Sequence, residues 1–235
     1  MRFDAVFFDV GNTLILPDPS VARVCAEVLL AAGHERELSA IARILPVVDE
    51  YYEERYREDD SFWTSDDGAA DVWVGMYALL CRRLGIADGE ARMLGRAVYD
   101  EFGTPSRWRP YADVPGEFRR LRAAGVKVGI VSNWDTRLAG VLDGIGIGEL
   151  VDTVVCSAAE GLHKPDPRIF ELACARLGVE AARSAHVGDH MYADVAGARA
   201  AGMTAVLIDR HSAAPAVGSG VACIATLDEL EGALA

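Results

Sequence analysis

The chain has 235 residues, 51% hydrophobic and 25% charged, the balance of a globular protein rather than a disordered one. That length admits one large domain, or one domain carrying an insertion. A formal charge of −13 argues against nucleic acid, whose binding relies on Lys and Arg to neutralise phosphates, and gives no reason to expect an anionic membrane surface.

Met1-Arg2 leads straight into an apolar run, so the expected first element is a strand over Asp4–Asp9 rather than a charged leader with an apolar core. No stretch is apolar for long enough to span a bilayer. Further short apolar runs bounded by polar or Gly residues follow at Lys127–Ser132, Thr153–Cys156, Ala185–Gly188 and Thr204–Ile208, with a weaker one at Ala222–Ile224. Such runs mark strands buried on both faces. Between Pro17 and about Tyr111 the strand signal disappears and helical spacing takes over. Asp18-Pro19 is expected to cap and start a helix striped by Val21, Val24, Cys25, Val28 and Leu29. Pro46 should kink or split the next segment, Leu38–Tyr56. Two more stripes run through Val72, Met76, Leu79 and Leu80, and through Leu94, Ala97, Val98 and Glu101.

After Tyr111, helices alternate with strands and stop at Gly125, Gly178 and Gly202, a residue that tolerates the left-handed C-terminal position. Thr226 and Glu229 form a capping box for the last helix, and the small-residue stretch 212–220 reads as a surface loop. Strand alternating with helix means an α/β protein with a doubly wound parallel sheet. The cysteines Cys25, Cys81, Cys156, Cys174 and Cys223 are far apart and form no C-x-x-C pair, which fits neither a zinc site nor a disulfide framework. They read as small buried hydrophobes in a reduced, cytoplasmic compartment.

Five segments carry chemistry: Asp9-Val10-Gly11-Asn12-Thr13, Ser132-Asn133, Lys164-Pro165, Gly188-Asp189, and Asp194. Asp9 closes an apolar strand, and in open α/β sheets ligands bind beyond the carboxyl ends of strands. The bland alternative is a turn cap. Asp189 and Asp194, gathered beside Asp9, would repel one another unless a cation lay between them, and Mg²⁺ suits an all-oxygen set. His163 and His190 adjoin these segments as candidate proton relays. Aromatics from Tyr51-Tyr52 through Phe62-Trp63 and Trp73 read as core. The ten acidic residues from Asp49 to Asp71, set against Arg55 and Arg57 alone, read as a solvated face.

The order and spacing of these segments resemble the haloacid dehalogenase superfamily, most of whose members hydrolyse phosphate esters. The resemblance implies a Rossmann-like core over 1–16 and 112–235, with an all-helical cap domain over 17–111. It implies an aspartyl-phosphate on Asp9, with Thr13, Ser132 and Lys164 as its catalytic partners. Gly11, Asn12, Ser132, Asn133 and Lys164 would hold the phosphate, with backbone N–H groups of Gly11, Asn12 and Asn133 as its cradle. Asp9, the Gly11 carbonyl, Asp189 and Asp194 would ligate Mg²⁺. The implied substrate is a small phosphorylated metabolite and the protein a monomer or homodimer. Gly11 departs from the pattern, because the superfamily's phosphatases carry a second aspartate there. That keeps two other readings open: a metal-independent 2-haloacid dehalogenase, and a catalytically weak phosphate-binding or regulatory protein.

Overall fold

The computed structural model describes residues 3–211 and 220–235, so nearly all of the stretch 212–220 lies outside the described residues. The first strand, β1 (Ala5–Phe8), is followed by a short β2 (Ile15–Pro17). Five helices come next: α1 (Val21–Ala31), α2 (Leu38–Ala42), α3 (Leu45–Glu58), α4 (Asp66–Arg83) and α5 (Asp88–Glu101). The chain returns through β3 (Trp108–Pro110) and alternates thereafter: α6 (Val114–Ala123), β4 (Lys127–Ser132), α7 (Leu138–Gly144), β5 (Thr153–Cys156), α8 (Ser157–Glu160), α9 (Pro167–Leu177) and β6 (Ser184–Gly188). A π-helical turn, Met191–Ala196, runs into α10 (Gly197–Ala200), and β7 (Thr204–Ile208), β8 (Ala222–Ile224) and α11 (Leu230–Ala233) complete the order.

The main sheet has the order β5-β4-β1-β6-β7-β8, every pair parallel. Its strands alternate between two apolar layers. Val6 and Phe8 of β1 point with Val128 and Ile130 into one cluster, covered by Phe118 and Leu121 of α6 and Val141 of α7. Ala5 and Phe7 point the other way, against Ile169, Phe170 and Ala173 of α9. Both faces are therefore buried, as a parallel sheet requires. Burying a Phe of this kind is worth about 1.5–3 kcal/mol, and Phe7 and Phe8 are fully buried back to back in β1.

The helices α1 to α5 enclose a third apolar cluster, with Val24, Leu29, Ile41, Val72, Leu80 and Val98 inside it. Trp108 packs against both this cluster and the sheet's. Pro46 splits the second helical segment as expected, standing in the first turn of α3, where its missing N–H costs nothing. The cap of α1 is a correction. Ser20, not Asp18-Pro19, has extended backbone and accepts from Arg23 N at 3.3 Å, while Asp18 N donates to Arg107 O. The ribbon β2–β3 is a second correction, an antiparallel pair of three-residue strands at the edges of the helical segment. Pairing so distant in sequence leaves no periodicity to read. The Thr226–Glu229 capping box is present, and Gly125, Gly178 and Gly202 all take positive φ. The cysteines are all free; four are buried and Cys223 is partly so.

Candidate active site

β1 lies between β4 and β6, where the winding of the sheet reverses, and ligands in such sheets bind outside the strand ends at that point. Asp9 leaves β1 there, Ser132 ends β4, Asp189 follows β6, and the loop between α8 and α9 carries Lys164. The Ser132 hydroxyl donates to Asp9 Oδ1 at 2.9 Å, and Lys164 Nζ donates to the same oxygen at 2.6 Å. Lys164 Nζ also donates to Asp194 Oδ1 at 2.6 Å. Asp9 Oδ2 therefore stands as the oxygen with no hydrogen bond among the described residues.

Asp194 sits on the π-helical turn rather than at the start of an ordinary helix. The widened turn, in which Asp194 N and Val195 N both donate to His190 O, swings the carboxylate back under β6. Gly188 makes room for it: a Cβ there would lie 2.2 Å from Asp194 Cγ. Asp194 Oδ2 accepts from His190 N at 3.0 Å, and Oδ1 accepts from His186 at 2.9 Å. The His186 ring is fully buried, and burial holds it below its ordinary pKa against the pull of Asp194. As a neutral ring donating from Nε2, it leaves Nδ1 as an acceptor without a partner.

Lys164 is 2% exposed. Burial disfavours its charge, but Asp194 and Asp9 outweigh that and hold the ammonium above its ordinary pKa. Burial likewise opposes charge on Asp194, yet Lys164 and His186 pull its carboxyl well below the usual range. Asp189 behaves in the opposite way. One side of it is open to solvent, but the protein packed around its carboxyl, with Asp9 and Asp194 behind, pushes it up to about 7. Asp9, Asp189 and Asp194 each offer an oxygen within 4.8 Å of the others. Three hard oxygen donors with one lysine between them fit a small divalent cation, which would relieve the repulsion seen at Asp189.

Asn133 holds the lysine loop by its amide, accepting from Lys164 N at 2.7 Å and donating to Lys164 O at 3.0 Å. Asn12 lies on the cavity wall with φ 53°, but its N–H is engaged by Ile15 O at 3.1 Å, so this member of the expected backbone cradle is spent elsewhere. Gly11 also lines the cavity, its carbonyl accepting from Thr13 N at 2.6 Å. Thr13 lies behind these residues. It is fully buried away from the cavity lining, its hydroxyl has no partner, and its carbonyl accepts from Arg210 at 2.7 Å.

The cavity above these groups has a volume of about 590 Å³. Its walls correct two sequence expectations. Tyr52 and Trp73 pack against the helical cluster, Tyr56 and Trp63 make ring contacts with Tyr52, and all four also line the cavity, as do the acids Asp49 and Glu53. Other acids of that run are not merely solvated. Asp66 accepts from both the N–H and the hydroxyl of Thr136, at 2.8 and 2.6 Å, and Asp60 pairs with His163 at 3.1 Å. Both contacts tie the helical segment to the sheet, and His163 is occupied there rather than at the cavity. His190 does line it, with Nδ1 accepting from Tyr192 N and Ala193 N, which leaves Nε2 to carry the proton.

A third fastening, not read in the sequence, joins Asp135 and Arg137 to Tyr99 of α5. Arg137 donates to Asp135 at 2.6 and 2.8 Å and to Tyr99 O at 2.9 Å, stacks 3.8 Å over the Tyr99 ring, and Tyr99 Oη donates to Asp135 at 2.8 Å. An Asp-x-Arg pair after a strand gave a local signal, but its partner is 36 residues away.

Comparison with known proteins bears on this constellation. A family model described as haloacid dehalogenase-like hydrolase matches residues 3–202. The chain belongs to that family. It is a hydrolase with the family's α/β fold. It is 32% identical to a glyceraldehyde 3-phosphate phosphatase of Methanopyrus kandleri over 88% of this chain and 84% of that one. It is 37% identical to the bovine haloacid dehalogenase-like hydrolase domain-containing protein 3, but over 137 residues, so the match spans about half of that relative, 55% of its length. Among solved structures, a phosphatase of the family from Thermococcus onnurineus superposes with a TM-score of 0.66 at 26% identity, over 98% of this chain and 97% of that one.

Proposed function

We propose that this hydrolase is a Mg²⁺-dependent phosphatase acting on a small phosphorylated metabolite, with Asp9 as nucleophile and the helices between β2 and β3 as its cap. The observation that carries this reading is the convergence on Asp9: Ser132 and Lys164 hold Oδ1, Oδ2 is left free, and Asp189 and Asp194 complete a three-carboxylate set. The phosphatase names of relatives matched over most of the chain support it.

In this scheme Asp9 Oδ2 attacks phosphorus, a P–O bond forms on the aspartate, and the ester P–O bond breaks as the oxygen leaves with its electron pair, as alkoxide or phenolate, to take a proton from water. Ser132 and Lys164 orient Asp9 and offset negative charge at the site. Asp194, braced by His186 and His190 N, holds Lys164 in place. Asp9, Asp189 and Asp194 would hold Mg²⁺, whose chemistry is to stabilise charge on the phosphoryl oxygens. Water then hydrolyses the aspartyl-phosphate. Gly11 supplies no carboxyl to protonate the departing oxygen, so the scheme predicts a slow enzyme that favours good leaving groups.

Gly11 also favours a second reading, carbon–halogen hydrolysis, in which no leaving-group acid is needed. The deciding assay follows hydrolysis of p-nitrophenyl phosphate and of a 2-haloacid, each with Mg²⁺ and with chelator. The phosphatase reading requires phosphate-ester turnover that chelator abolishes and a melting temperature that Mg²⁺ raises. Halide release persisting in chelator would replace it with the second reading.

A further inference from the structure

All four tryptophans of the chain line the one cavity that contains Asp9: Trp63, Trp73, Trp108 and Trp134. Three of them lie in an unbroken succession of ring contacts, and Trp63 branches from it against Tyr52 at 6.5 Å and Trp73 at 6.3 Å. From the His190 ring the path runs to Tyr56 at 5.5 Å, then to Tyr52 at 5.9 Å and Trp73 at 5.8 Å. It continues to Tyr77 at 6.2 Å, Phe102 at 5.8 Å, Trp108 at 5.5 Å and Trp134 at 5.2 Å. Both ends of the path are at the reacting groups: His190 adjoins Asp189, and Trp134 adjoins Asn133 and stands 3.5 Å from where a Gly11 Cβ would be. The belt is thus a wall for whatever is attached to the phosphate.

The charges on that wall are one-sided. Arg137 and Lys164 are the Lys and Arg side chains lining the cavity, and both are paired, with Asp135 at 2.6 Å and with Asp9 and Asp194 at 2.6 Å. The helices contribute Asp49 and Glu53 and no lysine or arginine. A second phosphate or a carboxylate on the substrate would meet acids and rings, with no unpaired lysine or arginine among the described residues to receive it, and an unpaired buried charge is heavily penalised. Aromatic surfaces instead favour flat apolar groups, by about 0.5–1.5 kcal/mol per ring pair beyond area burial. The buried Tyr56 Oη has no partner among the described residues and is a neutral hydrogen-bonding group on that wall.

We infer that the substrate is a monoester of phosphate whose organic part is aromatic and bears no second negative charge. This rests on the phosphatase reading and narrows its substrate class.

The test compares 2-phenylethyl phosphate, propyl phosphate and phosphoglycolate on the wild-type protein with Mg²⁺, with p-nitrophenyl phosphate as the control for turnover. The first two have alkyl leaving groups, so their difference reports the wall rather than the chemistry. The expected result is a kcat/KM at least about tenfold higher for 2-phenylethyl than for propyl phosphate, carried by KM, with phosphoglycolate poorest. Trp73→Leu should shrink the aromatic preference. Should that variant fail to fold, tryptophan fluorescence of Asp9→Asn titrated with the same esters gives an independent reading, with tighter saturation expected for the phenylethyl ester. Turnover of p-nitrophenyl phosphate with equal use of the three esters, or preference for phosphoglycolate, would overturn the inference and leave the phosphatase standing. No turnover of any phosphate would remove the phosphatase reading and this inference with it.

Discussion

Gly11→Asp tests the mechanism most directly. The backbone at Gly11 is not in the left-handed region, which its neighbour Asn12 occupies instead. A Cβ at position 11 would meet only Trp134 Cζ3, at 3.5 Å, an ordinary van der Waals contact. The backbone and the space at the first side-chain atom therefore admit a substitution here. Position 11 lines the same cavity as Asp9, so a carboxyl there is placed to act as a general acid. General acid–base catalysis is worth about 10²–10⁴ in rate, or about 3–5 kcal/mol of barrier. The expected outcome is a gain of that order in kcat on an alkyl phosphate such as glycerol phosphate. The gain on p-nitrophenyl phosphate should be much smaller, because that phenolate departs unaided. Steady-state rates for both esters, wild type against variant at saturating Mg²⁺, measure it. A folded variant with no gain on the alkyl ester refutes the reasoning. So does a wild type that cleaves both esters equally fast, and His190, which lines the cavity, would then be the group to mutate.

Asp9→Asn removes the attacking oxygen but keeps the side chain's shape, so turnover should fall to background while the melting temperature stays near that of the wild type; comparable activity would show that another residue attacks. Lys164→Met leaves Asp9 and Asp194 buried without their cation, which should cost about 3–5 kcal/mol, a drop on the order of 10 °C in melting temperature for a chain of this size. An unchanged melting temperature would mean that the ion triad contributes nothing to stability. Asp135 provides the pH test. Burial opposes its charge, but Arg137 and Tyr99 hold its carboxyl below the ordinary range. A folded-state value below the unfolded one contributes stability that is complete above the ordinary carboxylate pKa of about 3.9 and is lost as pH falls through the folded value. The melting temperature of Asp135→Asn should then fall less steeply than that of wild type below about pH 4, and parallel curves would show that Asp135 is not a source of the acid sensitivity.

The strands of the main sheet were legible because a strand buried on both faces must be a continuous apolar run, and β4, β5, β7 and β8 begin and end where those runs do. The same local logic placed Asp9, Ser132 and Asp189 at strand ends, since a carboxylate or hydroxyl closing an apolar run stands where a parallel sheet binds ligands. Lys164 and Asp194 were found by spacing and resemblance, but nothing local told that one ammonium would touch both Asp9 and Asp194, or that His186 would brace them from inside β6. Thr13 lies in the same segment as Asp9 but not on the cavity lining, because which residues after a strand reach the cleft depends on the turn that follows. The aromatic run of the helices looked like core, and its rings do pack as core. Only the folding of α3, α4 and α5 over the sheet exposes their inner edges to the cavity and brings Trp108 and Trp134 round to close the belt. Periodicity states which face of an element is apolar. It does not state what that face meets, because the meeting is made by contacts such as Asp66 to Thr136 and Tyr99 to Asp135, across separations no local pattern spans.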